Sequence, residues 1–409
     1  MSRINVIGDG VVALCSAHSL LMRGFKVRVF GSIQGREASS WGCAGHIATE
    51  QCDPLASWDL IRSVPQRLFT FGGAVSFPPK QVADWLPFAW RYIASSRPSK
   101  FHLGRKVLED LLQGALESWR MRLETLGAEE LLDRRGHIIC WDSDESARRG
   151  IRKWEQASPK FVSFAQGGTA ENIIMHRLGI PANRVARFHG TGSIKDLYLM
   201  RNILREAICA HGGEIVELKQ HIDDPADLGD ESVLIAAGIG SRSLAEKWGL
   251  HVPMISERGY HLELDSREFC GDGRPVVFED RSVIMSQFRH GVRLASFVEF
   301  GNEHSPPDPA KWERLKSTAR SLGFDPSAGR LWHGSRPTLP DYIPAIGEVN
   351  GDQRRYYAFG HQHLGLTLGS VTGEIVAAMI DGERRAELKS LSLDRFQPSH
   401  TPMPSGPVY

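Results

Sequence analysis

The sequence predicts an α/β protein in which a parallel-sheet, nucleotide-binding domain is interleaved with a substrate domain of mostly antiparallel sheet plus a helical cap. Three observations predict it. A strand, glycine turn, helix and second strand open the chain; two further αβ units recur at 197–218 and 232–249; and β-rich runs cluster at 131–140 and 254–299.

The opening unit is the most explicit. Ile4, Val6 and Ile7 form a short apolar run ending in Gly8-Asp9-Gly10-Val11-Val12-Ala13, which fits G-x-G-x-x-[G/A], the Rossmann-like fingerprint. In that motif Gly8 makes the tight turn, Gly10 lets a pyrophosphate approach the backbone, and small Ala13 keeps helix and strand close. The helix is apolar from Val12 to Met22 and aims its free N-terminal amides and positive dipole at the phosphates, so Gly8, Gly10, Val11 and Val12 are the expected contacts. Gly24 is placed to cap it, and Phe25 to Phe30 reads as the next strand. The end of that strand departs from the pattern. An acid normally accepts from the ribose hydroxyls there, and this chain has Gly31 and Ser32. Ser32 can supply one hydrogen bond, or Glu37 can fold back.

Composition bounds the partners. The 409 residues hold about two to three domains' worth of core. The 49 basic and 48 acidic residues nearly cancel, which argues against nucleic acid and for a small-molecule partner. The six cysteines show neither CxxC nor zinc spacing, as expected of a cytoplasmic, reducing compartment. The motif lies too near Met1 for a signal peptide. The stretch WLPFAWRYIA, Trp85 to Ala94, reads as a packed core helix, with peripheral membrane association as the alternative.

Helical periodicity dominates from about Pro65 to Leu126, with Pro87 and Pro98 as breaks. The expected division places the nucleotide domain in three parts, 1–50, 185–253 and 331–396. The cap and first part of the substrate domain fill 51–184, its antiparallel sheet 254–330, and a surface tail 397–409.

Several stretches together resemble the FAD-dependent D-amino-acid dehydrogenase and oxidase family, which includes the glycine, sarcosine and glyphosate oxidoreductases. They are SSWGCAGHI, ERGYHLEL, GVRLASFVEF, WHGSRPTLPDYIPAIG and YYAFGHQHLGLTLGSVTGEIVAAMI, spread over most of the chain. The resemblance implies FAD. It places Gly360, His363, Leu364, Gly365, Leu366 and Thr367 at a helix start beneath the flavin, with Gly369 also letting backbone approach the ring. Ser39, Ser40, Ala44, Gly45 and His46 are implied at the flavin or pyrophosphate, and Ala237 and Gly238 at the end of a later strand. Gly42 stands where covalent-flavin relatives carry histidine, which implies non-covalent FAD.

The implied reaction is oxidation of a D-amino acid, or a related secondary or cyclic amino acid, to an imine by hydride transfer from Cα to flavin N5; water then yields the 2-oxo acid. Opine, sarcosine or imino-acid substrates, or a weakly flavin-binding subunit or sensor, are the alternatives. Oxygen or a quinone-type electron-transfer partner is the expected acceptor. The substrate carboxylate needs an arginine, and Arg336 in SRPTLPD is the candidate, the alternative being a pair with Asp341 or the flavin edge. Tyr260 is expected to reach the carboxylate or amine, and His361 and His363 the flavin edge or pocket. His261, on the other face of its strand, reads as structural, and no metal is expected at GHQH because a third ligand is lacking.

Overall fold

Strand β1 (Arg3–Ile7), helix α1 (Val11–Met22) and strand β2 (Lys26–Ser32) follow one another as the opening pattern predicts, and Gly24 takes a φ of +82° just past the helix end. The computed structural model describes residues 3–32, 38–157, 159–167, 175–176, 178–218, 222–265, 273–349, 352–383 and 388–397. Glu37 and residues 398–409 of the expected tail lie outside the described residues, as does the side chain of Ser32.

A six-stranded sheet runs in the order Glu214–Leu218, β2, β1, Ser232–Ile235, Asp352–Phe359 and Ala345–Val349. Every pairing is parallel except the last. Its central strands are apolar and buried, as a sheet covered on both faces requires. Helix α1 packs against the helix Gly365–Ile380, and glycines set the approach. A Cβ at Gly369 would stand 2.9 Å from Val11 Cγ2, and one at Gly373 would stand 2.7 Å from the Cys15 carbonyl oxygen. Gly369 therefore serves helix packing, and the expected approach to the ring is not its role. Buried Arg122, on the cap helix Ala115–Thr125, ties both helices together by donating to Ser19 Oγ at 2.8 Å and Glu374 Oε1 at 2.9 Å. Among the described residues Gln362–Ile380 is long and apolar enough to cross a membrane, and it is mostly buried in this packing.

The second sheet is mostly antiparallel. Its order is Arg330–Thr338, Ile255–Leu264, Gly291–Gly301, Val283–Phe288, Val276–Phe278, His137–Cys140, Val185–His189 and Ser163–Gln166. It therefore continues past residue 330 to Thr338 and takes in Val185–His189, beyond the boundaries expected from the sequence. Both extensions are strands whose neighbours are set by register and not by local pattern. The cap helices are Trp58–Arg67, Val82–Ser95, Pro98–Leu112 and Ala115–Thr125. Pro98 opens its helix, where a missing N–H costs nothing, while Pro87 sits inside Val82–Ser95 and breaks nothing. That helix divides by face. Phe88 is buried, whereas Val82, Leu86 and Trp90 are exposed, Trp90 by 67%, so the expected core helix is only half packed.

Candidate active site

A cavity of about 2310 Å³ is lined by both sheets and the cap. That exceeds the ~300–1,000 Å³ of a pocket for a drug-sized ligand and leaves room for a dinucleotide beside a substrate.

At one end stands the glycine turn. Gly8, at φ +127°, has no room for a side chain, since a Cβ would meet the Ala236 carbonyl oxygen at 2.3 Å. Gly10 differs: the atoms nearest its Cβ position are Ser40 Oγ at 3.4 Å and Ala38 Cβ at 3.5 Å, and the rest is open cavity. Val11 and Val12 line the cavity at the helix start, and Ser40 Oγ accepts from the Val11 N–H at 3.2 Å. Ser39 ties this loop to the second sheet by donating to the Ser335 carbonyl at 2.5 Å. Ala44, Ala237 and Gly238 also line the cavity. Gly45 does not; its φ of +70° and a carbonyl 2.9 Å from its Cβ position require glycine for the loop itself.

The other end is the start of Gly365–Ile380. No side chain caps that helix, and Gly365 and Leu366 face the cavity, so its positive end is open to a ligand. Thr367 lies behind them and accepts from the Ala48 N–H at 2.9 Å; Leu364 is fully buried, and Gly360 packs against Leu339. These three are supports of the helix start and do not line the cavity. His361 Nε2 bonds Thr372 Oγ1 at 2.9 Å, and burial pushes this ring down to about 3. His363 lines the cavity and makes no protein hydrogen bond among the described residues. Burial, with Arg336 nearby, pushes it down to about 4 although Glu257 pulls the other way. His361 lines the cavity as well.

Arg336 lies on the cavity wall. Its Nη1 donates to Glu257 Oε1 at 3.2 Å and to the Phe297 carbonyl at 3.0 Å. Glu257, buried, also accepts from Thr338 Oγ1 at 3.1 Å and Tyr342 Oη at 3.0 Å through its other oxygen. Asp341, the alternative partner considered from sequence, pairs instead with Arg395 at 2.7 Å. The backbone around Arg336 is strained. Phe297, Tyr342 and Gln362 hold φ values of +72°, +57° and +45°, and Phe297 sits at a bulge where the register of Ile255–Leu264 against Gly291–Gly301 slips. Left-handed non-glycine residues and bulges cost energy and collect where side chains must be aimed. The bulge turns the Phe297 carbonyl onto Arg336. Gln362 donates to the Tyr342 carbonyl at 2.5 Å, and its buried Oε1 has no partner.

Tyr260 also lines the cavity, buried in its wall. Its hydroxyl donates to Glu299 Oε1 at 2.9 Å and accepts from the Asp308 N–H at 3.1 Å, inside a buried network with Arg258 and Lys311. The expected bond to substrate is therefore taken by the sheet's own ion network. His261 Nδ1 donates to the Gly42 carbonyl at 2.8 Å and the ring stacks on Trp332 with centres 4.8 Å apart, the structural role expected. His46 does line the cavity. Its Nε2 lies 3.2 Å from Glu50 Oε1 and its Nδ1 3.1 Å from the Gly192 carbonyl. With His137 it forms a set whose donor atoms all lie within 4.8 Å of one another, the one convergent group of metal-ligand type among the described residues. Burial raises Glu50, but the imidazoles of His46 and His137 outweigh it and hold the carboxyl down to about 2. Sequence reasoning missed Glu257, Gln362, Glu50 and Trp332; the first, second and fourth lie within the stretches ERGYHLEL, YYAFGHQHLGLTLG and WHGSRPTLPDYIPAIG, whereas Glu50 carried no local signal.

Two helix starts facing one cavity, the first behind a glycine turn, define a dinucleotide-dependent oxidoreductase. Residues 3–379 match the FAD dependent oxidoreductase family, and the chain belongs to it. It is similar to the D-amino-acid oxidase of Bradyrhizobium diazoefficiens, 25% identical over 408 residues that cover 93% of this chain and 95% of the relative. It is also similar to D-amino acid dehydrogenase 2 of Pseudomonas aeruginosa, 26% identical and covering 96% and 97%. Among solved structures the fold is similar to glycine oxidase from Geobacillus kaustophilus, with a TM-score of 0.69, 18% identity and coverage of 96% and 99%. The residues present fit FAD. The space above Gly10 is open, the helix start at Gly365 is uncapped, and buried Gln362 Oε1 lacks a protein partner beside it.

Proposed function

We propose that this FAD-dependent oxidoreductase oxidises a D-amino acid, or a related secondary or cyclic amino acid, to the imine, which water hydrolyses to the 2-oxo acid. The isoalloxazine ring, when bound, supplies the hydride acceptor. The observation that carries the reading is the aimed arginine. A guanidinium offers five N–H donors; Glu257 and Phe297 engage Nη1, and Nη2 makes no protein hydrogen bond among the described residues, leaving it for a substrate carboxylate. His363, neutral at working pH, accepts from or donates to the amine without adding a second positive charge beside Arg336. Trp332, packed over Gly42 and Gly334, walls the cavity and keeps water from the fixed carboxylate. The acceptor is oxygen or an electron-transfer partner, and the free thiols suit the cytoplasm.

A second reading has one observation in its favour. Arg67, Arg149 and Lys153 line the outer cavity, a setting for a second carboxylate such as that of an opine. An anaerobic screen of D-amino acids, D-proline derivatives, sarcosine and opines, read by flavin bleaching, tests both. Bleaching by D-amino or cyclic amino acids supports the first reading, preference for dicarboxylic secondary amines supports the second, and bleaching by neither sinks both.

A further inference from the structure

The vacant acid at the end of β2 is answered by the glycine turn. The Gly8 N–H donates to the Phe30 carbonyl at 2.9 Å, which lays the turn against the strand end. Asp9, between the two glycines, consequently lies over Gly31: a Cβ on Gly31 would stand 3.0 Å from Asp9 Cβ and 3.4 Å from Oδ2. Its carboxylate is anchored from the far side by Arg201 on the helix Leu197–Ala210, whose Nη2 donates to Oδ2 at 3.2 Å. Asp9, Gly31, Arg201 and Tyr198 all line the same end of the cavity, and Oδ1 makes no bond to the protein among the described residues.

We infer that Asp9 is the acceptor for the adenosine ribose hydroxyls of FAD, supplied from the loop in place of the acid that β2 lacks, with Arg201 as its positioning residue. The inference rests on FAD filling this cavity. An acid reaching from the strand end and one rising from the turn converge on one space, and here the second excludes the first. Gly31 is thus required by Asp9, since a side chain there would crowd it, and a second carboxylate would repel it. The anchored geometry matters because an ionised acceptor fixed before binding loses little freedom on binding two hydroxyl donors. Arg201 holds one oxygen and leaves the other for the diol.

The test uses the holoprotein and adenosine fragments. FAD dissociation is followed by flavin fluorescence, and ADP, 2′-deoxy-ADP and 3′-deoxy-ADP are compared as competitors of FAD rebinding to stripped protein. Wild type is expected to prefer ADP over at least one deoxy analogue by about 10-fold or more. Asp9→Asn keeps the shape, weakens FAD by about 10- to 100-fold and removes the preference, which a merely structural role would not do. Gly31→Glu alone weakens FAD, and Asp9→Gly with Gly31→Glu recovers both affinity and preference. Retention of the ADP preference in Asp9→Asn, or tighter FAD in Gly31→Glu alone, overturns the inference. Failure of wild type to rebind FAD overturns the cofactor reading itself.

Discussion

Gly259 and Arg336 share one space. A Cβ on Gly259 would stand 2.4 Å from Arg336 Nη2, so the guanidinium lies flat over the strand only because that position is bare. Gly259→Ala should push the guanidinium off Glu257 and raise KM for substrate at least 10-fold while flavin content stays normal. An unchanged KM would mean that Arg336 does not hold the substrate.

Direct substitution of Arg336 tests the same role with a different outcome. Arg336→Ala removes one partner of a charge pair beside buried Glu257 and should lower the apparent second-order constant for flavin reduction by about 2–5 kcal/mol, roughly 30- to several-thousand-fold. Arg336→Lys keeps the charge without the planar fork and should recover little. Stopped-flow reduction measures both, and loss of FAD or of folding in these variants would assign Arg336 to the scaffold.

Gly10→Val should abolish FAD binding and leave the fold intact. Its side chain would enter open cavity and not packed protein, so the far-UV spectrum and urea midpoint should match wild type. Normal flavin content in this variant would remove the pyrophosphate from the turn.

Acid or heat should release all of the flavin as free FAD. The place where covalent-flavin relatives carry histidine is Gly42, and a Cβ there would stand 2.2 Å from the Trp332 ring, so no linking side chain fits without moving it. Flavin left on the precipitated polypeptide would contradict this.

Stability should be flat from about pH 6.5 to about 8 and fall in acid. Burial pushes His137, His261 and His361 down to about 3 and His363 to about 4. Between 6.5 and those values the unfolded chain binds protons that the folded chain refuses, so stability is lost as pH falls, by about 1.4 kcal/mol per ring per pH unit. Glu50, held down to about 2, adds a further loss below its ordinary range near 4.5. Urea midpoints at pH 7.5, 6 and 5 measure it; equal midpoints at 5 and 7.5 would show the rings to be protonated in the folded state.

The sequence made legible what is local. The glycine turn, the αβ units and the helix start at Gly365 each lie within one stretch whose periodicity or motif names it. What stayed hidden depends on chain crossings. Glu257 and Arg336 face each other only through the register of two neighbouring strands, and Asp341 beside Arg336 is drawn off by Arg395 from a distant segment. The motif places Tyr260 on its strand but cannot show that Glu299 and Lys311 close around its hydroxyl. At Gly369 the sequence says that something must come close to the backbone, without saying that it is Val11.

The contact of Gly373 with the Cys15 carbonyl joins the first helix of the nucleotide unit to the last. Strand β1 is likewise completed by Ser232–Ile235, with Asp352–Phe359 beyond it. During synthesis the phosphate turn therefore leaves the ribosome long before the strands and helix that seat it, and one face of its apolar helix must wait for Gly365–Ile380. Cofactor capture is set as an event after translation, and a chain cut short before Gly365 would carry an intact fingerprint and hold nothing.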